Sequence, residues 1–143
     1  MADSEALALQ RLGERETLAR ILPLLPGSAR LTVGPGDDSA VLELETTELV
    51  TSCDMMIEGP DFRRDWSSPD QIGYKAMTSN LADIAAMGAV PVGVILAVAA
   101  PPETPVQDLV GLARGVAQGL SDMAPDAGVL GGDLSTSSVL TLS

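Results

Sequence analysis

The chain has 143 residues, enough for one domain with its own hydrophobic core. Its 20 acidic and 8 basic side chains give a net charge of −12, which argues against nucleic acid or an anionic membrane as a partner because no basic stripe remains to neutralise phosphates. The 45% hydrophobic content excludes a disordered chain. The lack of histidine excludes histidine-based triads and histidine-ligated metal sites, and the single cysteine, Cys53, excludes an internal disulfide.

The first residues lack a basic segment followed by an apolar run, so a cytoplasmic protein is expected. The longest apolar run, Val90 to Pro102, contains Pro91 and Gly93 and is too short to cross a bilayer. No membrane association is therefore predicted.

In the first half of the chain, leucine spacing predicts a helix from Glu14 to Leu22, closed by Pro23. A short strand over Leu31–Val33 leads into a glycine turn with two adjacent acids, Gly34 to Ala40. The next two apolar stretches, 39–44 and 48–54, predict a hairpin joined at residues 45–47. Residues 58–68 are predicted to form a loop.

The second half begins with the clearest helix signal, Ser68 as N-cap, Pro69 at the first position and Gln71 at the third. This helix is expected to run to Met87, with Gly88 as its C-cap, and its spacing places Asn80 and Asp83 on one face. The segment 91–99 predicts a strand buried on both faces. Thr104 and Pro105 then begin a helix to about residue 123 that is expected to turn its leucine and valine side chains inward, and strands follow over 128–132 and 139–143.

This order of elements predicts an α+β fold, in which a mixed sheet carries two crossover helices on one face. The opposite face of such a sheet would remain uncovered. We therefore expect the sheet to pair with a second subunit or to be covered by a further domain.

Five aspartates stand out because each lies in an apolar or glycine-rich segment, where an unpaired charge is costly. They are Asp37, Asp38, Asp54, Asp83 and Asp133. Magnesium takes oxygen ligands, commonly carboxylates together with water and substrate phosphate. Together the five aspartates predict a site for a divalent metal and a nucleotide phosphate.

Each acid also has a structural explanation when it is taken singly. Asp37 and Asp38 suit a turn after glycine, Asp54 can end a strand, and Asp133 can form an Asx turn. Asp83 can be a solvated residue on a helix. The joint pattern favours a site, because short motifs gain specificity when their contexts agree.

Gly131, Gly132 and Asp133 at a strand end could cradle a phosphate with backbone amides, although this signal alone is weak. Cys53 is interpreted as a strand residue beside the site, because the chain has no histidine to activate it as a nucleophile. Arg63 and Arg64 could contact a substrate phosphate, but the favoured interpretation is a solvated pair of loop residues.

Four segments in this order resemble the N-terminal domain of the thiamine-monophosphate kinase family, within the aminoimidazole-ribonucleotide-synthetase-like superfamily. They are GPGDDSAVL, TSCDMMIEGPDF, GYKAMTSNLADIAAMGAVP and GGD. The resemblance begins at Gly13-Glu14 and covers nearly the whole chain. It implies that 1–143 is an ATP-binding, Mg²⁺-binding and dimerising N-terminal domain, and that an α/β C-terminal domain is missing.

The resemblance also implies phosphoryl transfer from ATP to thiamine monophosphate, giving the diphosphate, in a homodimer. By matching position, it assigns metal contacts to Asp38, Ser52, Cys53, Asp54, Asp83 and Asp133. It assigns ATP contacts at the GGD segment, Gly131, Gly132 and Asp133. Asn80 and Asp37 become supporting residues.

At three places the sequence departs from the family pattern, so the resemblance leaves alternatives for the identity of the substrate. Cys53 stands where the family usually has threonine, and Mg²⁺ disfavours a sulfur ligand, so only the carbonyl of Cys53 could serve. Asp61 occupies a substrate-contacting position usually held by histidine, and residues 134–136 lack the usual threonine and arginine. The alternatives are another ATP-dependent synthetase or maturation enzyme of the superfamily, or a non-catalytic dimerising module that binds nucleotide and metal.

Overall fold

The computed structural model describes residues 7–34 and 39–143. Its helices are α1 (Leu9–Leu12), α2 (Glu14–Ile21), α3 (Pro69–Ala86) and α4 (Val106–Met123), with a short 3-10 helix over Leu22–Leu24. Its strands are β1 (Leu31–Val33), β2 (Val41–Leu42), β3 (Met56–Ile57), β4 (Gly93–Ala100), β5 (Gly128–Thr136) and β6 (Thr141–Leu142). Asp37 and Asp38 lie outside the described residues.

The main sheet has four strands in the order β3-β6-β4-β5. β4 and β5 are parallel, whereas β6 is antiparallel to both β3 and β4, so the sheet is mixed. Because β3 and β4 consequently run in the same direction, α3 and α4 are both crossover connections between parallel strands. The predicted α+β class with two crossover helices is confirmed, and β1 and β2 form a separate antiparallel pair.

The core lies between the two long helices and one face of this sheet. Four leucines and valines of α4 that were expected to face inward, Leu109, Leu112, Val116 and Leu120, are all buried. Ile72 and Met77 of α3 join them, together with Leu134, Leu140 and Leu142 from the sheet side. Val94, Leu96 and Val98 of β4 pack against this cluster.

The start of α3 confirms the predicted capping box. The Gln71 amide donates to Ser68 Oγ at 3.3 Å, and the Ser68 amide donates to Gln71 Oε1 at 2.9 Å. The helix ends one residue earlier than expected, at Ala86, and Gly88 follows with φ 70°, a conformation that glycine adopts without strain.

The prediction that β4 is buried on both faces is wrong. Ile95 is 73% exposed and Ala97 is also exposed, because both long helices cover the opposite face of the sheet. In the register of β4 with β5, Ile95 pairs with Gly131 and Ala97 with Asp133, so these residues share the uncovered face.

The predicted hairpin over 39–44 and 48–54 is also wrong. Residues 43–55 contain no strand, and β2 pairs with β1 instead. Leu49 and Val50 are exposed, so no packed surface holds this segment in a strand. A smaller difference concerns α4, whose N-cap is Pro105, while the Thr104 side chain is buried and makes no capping bond.

None of the helices described here is long and apolar enough to cross a membrane.

Candidate functional site

The segment Ser52–Asp54 lies against the face of α3 that carries Asn80 and Asp83. Ser52 Oγ donates to Asp83 Oδ2 at 3.1 Å, and the backbone amide of Asp54 donates to Asn80 Oδ1 at 3.0 Å. The Asn80 amide group in turn donates to the carbonyl of Ala76 at 3.0 Å. The structure therefore brings together Ser52, Asp54 and Asp83, three of the predicted metal contacts.

Cys53 links this segment to the sheet. Its Sγ lies 3.2 Å from Ser143 Oγ, and Ser143 exchanges two backbone hydrogen bonds with Ala97, at 2.7 and 2.8 Å. The other neighbour of Ala97 in the sheet is Asp133. Cys53, Ser143, Ala97 and Asp133 thus form one row across the sheet.

Asp133 lies at the far end of this row. Two strand spacings separate it from Ser143, a distance of about 10 Å. The Asp133 carboxylate is exposed and accepts a hydrogen bond from Ser135 Oγ. Asp133 is therefore separated by two strands from the Cys53–Ser143 contact, and its predicted metal contact remains a prediction.

Gly132, beside Asp133, has a structural reason to be glycine. A Cβ atom at this position would lie 1.9 Å from the carbonyl oxygen of Leu96, because β4 and β5 approach closely after a register shift. A Cβ at Gly131 would meet nothing within 4 Å. The phosphate cradle assigned to Gly131, Gly132 and Asp133 remains a prediction.

The donor set around Ser52 suits a hard cation. Two carboxylates, Asp54 and Asp83, and one hydroxyl are all oxygen donors, and magnesium sites commonly use one or two carboxylates plus phosphate oxygens. Within residues 7–34 and 39–143, no group of three or more His, Cys, Asp or Glu side chains is placed to hold a metal. Asp38, the remaining predicted ligand, lies outside the described residues.

Asp61 makes hydrogen bonds that hold the loop in which it lies. Its Oδ2 accepts from the Ile57 amide at 2.7 Å, and its backbone carbonyl accepts from Lys75 Nζ at 2.5 Å. Nearby, Phe62 is buried and anchors the loop to the core. The substrate contact expected for Asp61 remains a prediction, and the observed contacts are those of a loop-shaping residue.

Arg63 and Arg64 are both engaged by acids. Arg63 bonds Asp65 through Nε at 2.9 Å and Nη2 at 2.6 Å, and this pairing lowers the pKa of Asp65. Arg64 Nε lies 2.7 Å from Glu58, and the resulting hydrogen bond raises the arginine pKa. Both arginines are therefore ion-paired with acids of the loop, whereas the favoured interpretation was a solvated pair.

The sequence interpretation missed a pocket beside this loop. Its volume is about 280 Å³, and its lining includes Phe62, Arg63, Trp66, Gln71 and Lys75. The Trp66 ring is 75% exposed, and Arg63 Cζ lies 4.3 Å from its centroid. The available signal was the only tryptophan of the chain, placed in a polar segment two residues after a pair of arginines.

A second, apolar cavity of about 290 Å³ lies between α2, α4 and the sheet. Leu18 and Ile21 of α2 line one side, and Gly131–Asp133 lie at its wall. It is lined mainly by leucine and valine side chains, so it offers an apolar surface next to the GGD segment.

Comparison with known families places this fold and site in a class. Residues 36–143 match the model of the AIR synthase related protein N-terminal domain, and the chain belongs to this family. The match includes every predicted metal and nucleotide residue.

Individual relatives within the family are thiamine-monophosphate kinases. The protein of Corynebacterium glutamicum is 42% identical over 133 residues, covering 92% of this chain and 38% of that protein. The protein of Mycobacterium tuberculosis is 37% identical over 131 residues, covering 92% of this chain and 39% of its own length. The chain therefore spans about two fifths of the length of these curated relatives.

Two solved structures of other thiamine-monophosphate kinases have a similar fold. AaThiL complexed with AMPPCP and TMP matches with a TM-score of 0.64 at 26% identity, covering 95% of this chain and 41% of that one. Thiamine-monophosphate kinase from Stenotrophomonas maltophilia matches with a TM-score of 0.66 at 26% identity, covering 90% of this chain and 38% of that one.

Proposed function

We propose that this chain is the N-terminal domain of an ATP-dependent kinase that converts thiamine monophosphate to thiamine diphosphate. The observation that carries the proposal is the 42% identity to a thiamine-monophosphate kinase across 92% of the chain. The kinase structure that matches 95% of the chain is a complex with AMPPCP and TMP. An enzyme that uses ATP in this way would act in the cytoplasm.

In the proposed reaction, the bond between the γ-phosphorus of ATP and its bridging oxygen breaks. A new bond forms from the same phosphorus to a phosphate oxygen of thiamine monophosphate, and ADP leaves. Such transfers depend mainly on positioning and on neutralising charge, so no covalent enzyme intermediate is needed. The contacts of Ser52 and Asp54 with α3 support this positioning role.

Ser52, Asp54 and Asp83 would hold Mg²⁺, with Asp38 and Asp133 as further ligands and Cys53 contributing only its carbonyl. The bound ion supplies positive charge opposite the phosphates. The protein holds the carboxylates in place, because Asn80 fixes the backbone of Asp54 and Ser52 orients the carboxylate of Asp83. Gly131, Gly132 and Asp133 would contact ATP.

The uncovered sheet face supports a homodimer as part of the proposal. Ile95 and Ala97 expose apolar side chains there, and an exposed apolar face on a sheet is typical of an interaction surface. A second copy of the chain would bury this face.

The proposal is tested with the complete product of the gene that encodes this chain. Incubation with ATP, Mg²⁺ and thiamine monophosphate is expected to form thiamine diphosphate and ADP in equal amounts, measured by chromatography. ADP formation with another phosphate or carboxylate substrate, but not with thiamine monophosphate, would favour a different synthetase of the superfamily. Absence of turnover on the whole panel would leave only a binding module.

Removal of one predicted ligand gives a sharper test. Asp83→Asn keeps the size of the side chain but removes its charge, so Mg-ATP binding is expected to weaken about tenfold or more, as loss of a charge-assisted contact implies. The matched control is Asp122→Asn, an exposed acid of α4 that contacts Gln118. Titration calorimetry measures both, and equal affinity in the two variants would contradict the assignment of Asp83.

A further inference from the structure

Trp66 presents an unusually open aromatic surface. It is the only tryptophan in the chain, and 75% of it is exposed, whereas tryptophan is normally buried to a large extent. The ring lies at the rim of the 280 Å³ pocket between the loop 59–67 and the first turns of α3. So large an exposed indole beside a concave surface is a candidate binding group.

The indole is held in place by its neighbours. The Trp66 amide donates to the Arg63 carbonyl at 3.1 Å, and the guanidinium of Arg63 lies over the ring. Arg63 is itself fixed by its two hydrogen bonds to Asp65. The cation therefore covers part of the indole surface, and the rest of the ring is open to solvent in a defined orientation.

The pocket suits a ring with polar substituents. Apolar carbon from Phe62 and Pro60 shares its lining with the polar groups of Ser67, Gln71 and Lys75. Its volume lies near the lower end of the range for small-molecule sites, about 300–1,000 Å³, so it fits a ring system better than a whole nucleotide. An electron-poor or cationic planar ring is favoured by the negative face of an indole.

The pocket also lies at a useful distance from the acids. Lys75 is in the first half of α3, and Asn80 and Asp83 follow five and eight residues later. With a rise of 1.5 Å per residue, these positions are about 8 and 12 Å further along the helix axis. A ring at Trp66 could therefore belong to a molecule whose phosphate reaches the acidic residues.

We propose that the open surface of Trp66 stacks on the heteroaromatic ring system of the phosphate-bearing substrate, which makes Trp66 a specificity-determining residue. The inference rests on the proposed function, in which that substrate is thiamine monophosphate. Thiamine contains a cationic thiazolium and an aminopyrimidine, two planar electron-poor rings that match the stacking surface. Lys75 and Asp61 position the loop that bears Trp66 through their 2.5 Å contact.

The single tryptophan allows a direct test, since emission excited selectively at the indole reports on this pocket alone. The 143-residue chain is titrated with thiamine monophosphate without nucleotide, and saturable quenching of Trp66 is expected. Inorganic phosphate alone is expected to leave the emission unchanged, which separates ring binding from phosphate binding.

Variants then test the contribution of the ring. By calorimetry, Trp66→Leu is expected to bind thiamine monophosphate about tenfold more weakly, the scale of one aromatic stacking contact, and Trp66→Phe only a few-fold more weakly. Val90→Ala, which shortens an 83% exposed apolar side chain elsewhere, is the matched control and should bind as the unmodified chain does. Circular dichroism confirms that each variant is folded.

The outcomes separate this inference from the proposed function. If Trp66→Leu binds as tightly as the unmodified chain, or quenching is absent, the stacking role is overturned even when the kinase assay forms thiamine diphosphate. If cationic heteroaromatic compounds quench Trp66 but no diphosphate forms in the kinase assay, the stacking surface is supported and the proposed function fails. Emission that changes with protein concentration alone would show that a second copy covers Trp66, which also overturns the proposal.

Discussion

Asn80 uses both ends of its side-chain amide to hold one backbone segment against α3. Its oxygen accepts from the Asp54 amide, and its nitrogen donates to Ala76 one turn earlier in the helix, each at 3.0 Å. An aspartate at this position would keep the acceptor but lose the donor, and it would add a charge near Asp83. Asparagine therefore satisfies a local requirement that its charged analogue does not.

Asn80→Ala is expected to loosen this segment. The Asp54 amide should exchange its hydrogen several-fold to about tenfold faster, the effect of losing a hydrogen bond worth about 1 kcal/mol, and Mg-ATP binding should weaken several-fold. Hydrogen exchange measured by NMR and calorimetry report the two effects. Thr78→Ala is the control, because its hydroxyl donates to the Tyr74 carbonyl within the same helix. Unchanged exchange at Asp54 would contradict the positioning role of Asn80.

At the scale of elements, α3 and α4 pack backbone against backbone. A Cβ atom on Gly73 would lie 2.1 Å from the Leu112 carbonyl oxygen, and one on Gly115 would lie 2.0 Å from that of Asp70. Both distances are far below ordinary contact, and both involve backbone atoms that cannot rotate away. The two glycines set the separation of the helices, and hence the position of the α3 face that carries Asn80 and Asp83.

Gly115→Ala is accordingly expected to destabilise the protein. Alanine gains about 1 kcal/mol in helix propensity over glycine, but forcing the helices apart costs about 1–3 kcal/mol or more, so the overlap dominates. Urea unfolding followed by circular dichroism measures the difference. Gly27→Ala is the control, because its added Cβ would meet nothing within 4 Å. Equal stability of the two variants would show that the helices adjust freely.

The same helix pair is linked by an ion pair with a predictable pH dependence. Arg114 Nε lies 2.9 Å from Asp70 Oδ1, and the hydrogen bond from Arg114 lowers the pKa of Asp70. A lowered carboxyl pKa in the folded state contributes stability that is complete above the unfolded pKa, about 3.9, and is lost as pH falls through the folded value.

Thermal melts between pH 7 and pH 2 should show this contribution. The stability difference between the unmodified chain and Asp70→Asn is expected to be small, since both side chains of the pair are about half exposed, and to disappear as the pH falls through the lowered pKa of Asp70. A difference that grows as the solution is acidified would contradict the assigned direction.

At the scale of the whole molecule, the sheet has one covered and one open face. The uncovered face carries Ile95 and Ala97 together with Asp133, so the surface proposed for pairing includes one of the residues proposed to contact ATP. Association of two copies and nucleotide binding would therefore be coupled through neighbouring residues of β4 and β5.

Ile95→Asp is expected to prevent pairing, because a carboxylate at the centre of an apolar interface would be buried without a partner. Sedimentation equilibrium should show a dimer for the unmodified chain and a monomer for the variant. Val90→Asp, at an exposed position just after α3, should remain a dimer. A monomeric unmodified chain at micromolar concentration would contradict the proposed homodimer.

Local rules were sufficient for much of the fold and for part of the site. The capping box of α3, the inward stripe of α4 and the shared direction of Asn80 and Asp83 follow from spacing within one or two helical turns. These features were predicted from the sequence, because residues only a few positions apart determine them.

Contacts between distant segments required the tertiary structure. Cys53 meets Ser143 across 90 residues, residues 48–54 form no strand because no packed surface covers them, and Ile95 is exposed because both helices cover the opposite face. The chain itself specifies which residues carry oxygen donors and where helices begin. Which donors meet, and which apolar face is left uncovered, depends on strand register and on packing between elements, and these are decided only when the whole chain folds.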